Sequence, residues 1–134
     1  MPSLDFKNSR VQELRRLLGR RSSRYEAGLF VVEGPVLTAE AVRAGLRVEA
    51  QFVPEASNAE IDGAGSIFEL APGVFERVAS TNAPQPPLAI VRMPDSGDVH
   101  ERLCAADLVV ALDRVSDPGN LGTILRSAEA AGAD

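Results

Sequence analysis

Three observations on this 134-residue chain predict an α/β fold. Short strand-like runs alternate with helix-like ones along its length, the order that builds a sheet with helices packed on it. Leu108 to Leu112 form an uninterrupted apolar run, which fits a parallel strand covered on both faces rather than an alternating, half-exposed one. That run passes through a turn rich in Asp, Pro, Gly and Asn into a segment with helical apolar spacing, and ligands of open α/β sheets bind at such strand ends.

Taken in order, the elements follow from local signals. Val11, Leu14, Leu17 and Leu18 make the buried stripe of a first helix, which leaves its arginines on the other face. A strand covers 29–32. In Glu33-Gly34-Pro35, Pro35 suits a first helical turn, Gly34 permits a tight turn and Glu33 lies near the positive end of the helix, so the triplet has a structural explanation. The helix it opens runs from Pro35 to Ala44 and stops at Gly45. A strand follows near Val48 to Val53, then a loop from Pro54 to Gly65 and a strand at Ser66 to Leu70. Pro72 opens a helix to Ala79, Ser80 to Pro87 is a Pro-rich loop, and Leu88 to Arg92 returns to strand. Pro94 to Asp98 reads as linker, and a short amphipathic piece around Val99 to Ala105 leads to the strand at 108. The expected organisation is a domain over 1–94, a linker over 95–106 and the beginning of a second domain over 107–134.

Residues 112–126, LDRVSDPGNLGTILR, concentrate the special residues. Asp113, Ser116, Asp117, Pro118, Gly119, Asn120 and Gly122 make a strand-to-helix loop in which Asp or Asn caps and Pro opens the helix. Leu121, Ile124, Leu125, Ala128 and Ala131 recur at helical spacing. At about 100° per residue, Arg126 falls opposite that stripe and beside Gly119, Gly122 and Thr123. Small residues beside a guanidinium let a ligand approach closely, and the planar fork of Arg suits phosphate oxygens. The plainer account is a solvated arginine on a polar helix face, and Gly-x-x-Gly after a strand is weak evidence for a nucleotide.

Charge is distributed asymmetrically. Residues 1–30 hold Lys7, Arg10, Arg15, Arg16, Arg20, Arg21 and Arg24 against Asp5, Glu13 and Glu26, a net +4, so the remainder carries −9 of a whole-chain −5. A basic segment on an acidic chain can bind phosphate locally. The competing account is a solvated helix surface. His100 is the sole histidine and Cys104 the sole cysteine, so no His- or Cys-rich metal cluster and no disulfide within the chain is expected, and neither has the partners of a nucleophilic triad. No apolar stretch of about 18 residues and no signal-like core occurs, which makes cytoplasmic location the default and gives no reason to expect a membrane partner.

The string LDRVSDPGNLGTILRSAEAAGAD resembles the first motif of the SpoU branch of the SPOUT RNA methyltransferases, with Asn120, Gly122 and Arg126 matching it. The resemblance implies a knotted α/β domain that binds S-adenosylmethionine and methylates a ribose 2′-hydroxyl. It implies that Arg126 engages the target nucleotide's phosphate and helps activate its hydroxyl, while Asn120 fixes the loop and the arginine. The guanidinium is already protonated and so is a poor proton acceptor, which leaves it positioning and charge stabilisation and leaves the proton acceptor open. The N-terminal KNSRVQELRRLLGRRSSRYEAGLFVVEGPVLTAEAVRAG resembles the substrate-binding domain of many SpoU enzymes, a domain similar to the L30e fold. That second resemblance assigns RNA contact to Lys7, Asn8, Arg10, Arg15, Arg16 and Arg24. The fold class implied is an L30e-like α/β/α domain followed by the first β-α unit of a SPOUT domain.

One strand and one helix cannot fold alone, so the sequence is expected to be the N-terminal part of a longer protein. The later motifs, which in the family hold the methyl donor and make the dimer contact, are not among these residues. The implied parent is a homodimeric ribose methyltransferase acting on ribosomal in preference to transfer RNA, and the 134 residues alone are expected to be inactive and not to bind S-adenosylmethionine. Two other readings compete: a non-enzymatic L30e-like RNA-binding module, and a Rossmann-like nucleotide enzyme, disfavoured because the loop lacks Gly-x-Gly-x-x-Gly.

Overall fold

A computed structural model describes residues 3–79, 81 and 83–134. The chain divides into two units, Met1–Pro94 and Asp95–Asp134.

In the first unit, α1 (Ser9–Gly19) begins where the Asn8 side-chain oxygen accepts from the Arg10 N–H at 3.0 Å, the N-cap geometry that short polar side chains favour. The Arg-rich stretch is not one helix. Arg20 turns extended (φ −132°, ψ 119°) and α2 (Arg21–Ala27) follows, ending on Gly28 in the left-handed region at φ 63°. Next come β1 (Leu29–Glu33), α3 (Pro35–Arg43), β2 (Val48–Pro54), β3 (Ser66–Leu70), α4 (Val74–Val78) and β4 (Leu88–Arg92). Helix α4 starts later than Pro72 because Gly73 sits at φ 75°, so Pro72 belongs to the turn before the helix.

The four strands form one sheet in the order β1-β4-β2-β3, with β4 antiparallel to both β1 and β2, and β2 parallel to β3. Strand β4 alternates. Leu88 and Ile90 pack with Val11, Leu14 and Leu17 of α1 and Val74, Phe75 and Val78 of α4, whereas Ala89 and Val91 pack with Ala41 of α3, Val48 and Ala64. Strand β1 alternates with it: Leu29 and Val31 lie on the α1 side, Phe30 and Val32 on the α3 side. The result is a three-layer α/β/α arrangement. The expected loop at 54–65 is held from beneath by Gln51, which is buried; its Nε2 donates to the Ile61 carbonyl at 2.9 Å and its Oε1 accepts from the Ile61 N–H at 2.8 Å.

The second unit holds α5 (Val99–Ala105), capped by Asp98, and α6 (Pro118–Ala130). The strand expected at Leu108 to Leu112 is not formed. A strand exists only as part of a hydrogen-bonded ladder, and no other strand occurs among the described residues of this unit. Val109 and Val110 are accordingly 49% and 45% exposed. The helical half of the expected β-α unit is present, but its apolar stripe is not buried either, with Leu121 and Leu125 both exposed. Among the described residues, no helix is long and apolar enough to cross a membrane.

Candidate functional site

The basic face of the first unit is ordered by aromatic rings rather than by carboxylates. The Arg10 guanidinium lies 4.4 Å from the centre of the Phe68 ring, Arg15 lies 4.4 Å and Arg77 4.1 Å from the centre of Phe6, and Arg21 lies 5.3 Å from Tyr25. These are cation–π distances, and the negative face of each ring attracts the charge without neutralising it. Among the described residues, ion pairs join Arg43 to Glu40, Arg47 and Arg92 to Glu49, and Arg114 to Asp113; none involves an arginine of α1, α2 or α4. The positive charge on this face therefore remains available to an anion. The Arg92 hydrogen bond, at 2.7 Å, and the nearby Arg47 charge hold the Glu49 carboxyl below the usual carboxylate range, against a smaller opposing effect of desolvation.

The six expected RNA-contact residues fall into different tasks. Arg10, Arg15, Arg16 and Lys7 are exposed. Asn8 spends its side-chain oxygen on the α1 N-terminus. The Arg24 Nη1 donates to the carbonyls of Leu17 at 2.9 Å and Leu18 at 3.4 Å, so it covers acceptors that the end of α1 leaves open. Phe6, Gln12, Phe68 and Arg77 were not anticipated. Phe6 immediately before a basic helix was the available signal; the approach of Arg77 to it joins residues far apart in sequence.

At the head of α6, Asp117 is the N-cap: its Oδ1 accepts from the Asn120 N–H at 2.7 Å, with Pro118 in the first turn. Thr123 Oγ1 donates to the Gly119 carbonyl at 3.0 Å and accepts from Arg126 Nη2 at 3.2 Å. A Cβ on Gly122 would stand 3.3 Å from Arg126 Nη1. Arg126 thus lies along the face formed by Gly119, Gly122 and Thr123, the face that helical spacing assigned it. Asn120 contributes its backbone N–H, and no hydrogen bond joins its side chain to Arg126 among the described residues. The loop before α6 includes Arg114 at φ 54°. The concavity here is lined by Arg114, Ser116, Asp117, Asn120, Thr123 and Ile124, most of them exposed.

Residues 8–89 match the family model described as the MRM3-like substrate binding domain. The chain belongs to this family. Its relatives include the 23S rRNA (guanosine(2553)-2′-O)-methyltransferase RlmP of Bacillus subtilis, 32% identical over an alignment of 130 residues that covers 96% of this chain and 50% of that protein. An rRNA methyltransferase from Sinorhizobium meliloti superposes with a TM-score of 0.72 at 30% identity, over 98% of this chain and 52% of that one. The SpoU methyltransferase AviRb from Streptomyces viridochromogenes, solved in complex with the cofactor AdoMet, gives a TM-score of 0.64 at 30% identity, over 95% of this chain and 51% of that one. The chain spans about half the length of the relatives it matches. With family members of this kind, the match runs through both units, so the α6 segment is shared with them as well as the substrate-binding domain.

Proposed function

We propose that this chain is the RNA-binding and catalytic-entry half of a ribosomal RNA 2′-O-ribose methyltransferase that uses S-adenosylmethionine. The observation that carries the reading is the continuous match of both units, across 96% of the chain, to a 23S rRNA 2′-O-methyltransferase. The unpaired arginines of the first unit support RNA contact through Lys7, Asn8, Arg10, Arg15 and Arg16, with Arg24 supporting the α1 end that presents them. Domain roles follow as 1–94 for RNA binding, 95–106 as connection and 107–134 as the start of the catalytic domain.

In this reading Arg126 is a catalytic residue. Held by Thr123 over Gly122, its guanidinium offers a fork of donors to the phosphate beside the target ribose and stabilises negative charge growing on the 2′-oxygen. Asn120 completes the loop that sets this geometry. The described residues do not fit S-adenosylmethionine. A cofactor pocket buries most of its ligand within enclosing walls, and the concavity before α6 is an open surface whose lining residues are mostly exposed. The cofactor site belongs to the remaining half of the complete protein, which is homodimeric, favours ribosomal over transfer RNA and works in the cytoplasm.

The complete protein, incubated with 23S ribosomal RNA and S-adenosylmethionine, is expected to protect one ribose from alkaline cleavage. Arg126→Ala should lower kcat about 100-fold or more with little change in KM. Arg16→Gln should raise KM and leave kcat unchanged. The 134-residue chain alone should transfer no methyl group. Full activity of the Arg126→Ala protein would sink the catalytic assignment.

A further inference from the structure

We infer that Phe6 holds Arg15 and Arg77 together as a two-arginine clamp for the phosphate backbone of RNA, an inference that rests on the RNA-binding role proposed above. Both guanidinium carbons lie within 4.4 Å of the centre of one ring, so two like charges are brought close on a single phenyl group. Gln12 fixes the arrangement: its Nε2 donates to the Phe6 carbonyl and its Oε1 accepts from Arg15 Nη1 at 3.1 Å. Arg15 comes from α1 and Arg77 from α4, two helices that pack against the same face of the sheet. Among the described residues, no carboxylate pairs with either arginine.

Two unneutralised guanidiniums held on one ring repel one another, and the ring offsets only part of that. An anion bridging both removes the rest. Contact with the ring leaves guanidinium N–H groups for oxygen acceptors, so the clamp is positioned before the anion arrives. A polyanion suits the surroundings better than a single carboxylate. Arg10 repeats the device on Phe68 from the same helix, and residues 1–30 carry a net +4. Phe6 and Gln12 are positioning residues here; Arg15 and Arg77 make the contact.

The test is binding of labelled 23S ribosomal RNA transcript to the 134-residue chain across a salt series. Arg15→Gln and Arg77→Gln should each weaken binding and reduce the slope of log K against log salt concentration by about one. Phe6→Leu removes no charge but should weaken binding several-fold, and should add little in the Arg15→Gln/Arg77→Gln background. Arg77→Lys should restore the slope while leaving affinity below wild type, because a point charge lacks the planar fork. Arg43→Gln, on α3 and already paired with Glu40, should change nothing. Melting temperatures identify any variant that fails to fold; if Phe6→Leu does, the arginine variants decide. Wild-type affinity and slope for Arg77→Gln, with Arg16→Gln weakened, would overturn the clamp and leave RNA binding standing. An equal loss with Arg43→Gln would overturn it in favour of general attraction. Absence of saturable binding by the unmodified chain would overturn both.

Discussion

Gly65 and Gly63 share a positive φ, at +69° and +78°, but differ in what a side chain would meet. A Cβ on Gly65 would stand 2.5 Å from the Val48 carbonyl oxygen and 2.6 Å from the Glu49 carbonyl carbon, both backbone atoms of β2 that cannot swing away. At Gly63 the nearest atom is Val42 Cγ1 at 3.5 Å, an ordinary contact. Gly63→Ala should therefore cost only the left-handed strain, about 1–2 kcal/mol, whereas Gly65→Ala should cost clearly more and shift the urea midpoint further at unchanged m. Glu49 makes a second residue-scale prediction. Its hydrogen bond to Arg92 depresses the carboxyl pKa in the folded chain, so the associated stability is present above the unfolded value and is lost as pH falls through the folded one. The group is solvent-accessible, so the effect is small. Urea midpoints of Glu49→Gln and wild type should differ at neutral pH and converge as the pH falls below the ordinary carboxylate range; a difference that persists in strong acid would contradict the assignment. The same pairing was not legible in the sequence, since Glu49 and Arg92 meet only because β2 and β4 lie side by side.

Elements whose signals are local were readable, and those defined by partners were not. The Pro35 start and Gly45 stop of α3 need only neighbouring residues, and the structure places them within a residue or so of expectation; the strand composition at 88–92 is realised because β1 and β2 flank it. The break between α1 and α2 escaped because no residue at 20 forbids a helix; it becomes favourable once Arg24 covers the Leu17 and Leu18 carbonyls. Leu108 to Leu112 carries strand composition without a ladder, and composition cannot supply the partner. At the candidate site, helical spacing did place Arg126 beside Gly122, whereas the Phe6–Arg77 approach depends on how α4 packs. Loop 54–65 shows the same dependence and yields an element-scale prediction. Gln51→Ala removes both hydrogen bonds to Ile61; the Ile61 carbonyl keeps the Ala64 N–H at 3.2 Å, but its half-buried N–H is left to find water, at about 1–3 kcal/mol. Amide exchange should accelerate at Ile61 and Ala64 far more than in β4. Uniform acceleration would mean that the loop opens only with the whole unit.

At the scale of the molecule the two units differ in what stabilises them. The first buries leucines, valines and phenylalanines on the α1 and α4 face of a four-stranded sheet and alanines and valines on the α3 face, with Leu14, Leu70 and Leu88 each fully buried. In the second, no helix has a buried residue among those described, and nine of its large apolar side chains are exposed, among them Val99, Leu103, Val109, Val110, Leu121 and Leu125. The Asp107 and Leu108 N–H groups donate to the Asp134 carboxylate at 3.0 and 3.2 Å, but among the described residues the N–H groups of Val109, Val110 and Leu112 have no partner. Unpaired amides exchange at open-chain rates, and a sheet interior exchanges only when the unit unfolds. For the 134-residue chain, amides of β2 and β4 should therefore be protected at least about a thousandfold, while Val109 to Leu112 should show almost no protection. In the complete protein the same segment should become protected, because an apolar run of this kind is stable only between neighbouring strands. Leu14→Ala, which costs about 2–5 kcal/mol in the first unit, should raise exchange across β2 and β4 and leave Val109 to Leu112 unchanged. Strong protection of Val109 and Val110 in the isolated chain would show that residues 95–134 form a ladder of their own and would remove the case for a missing neighbour.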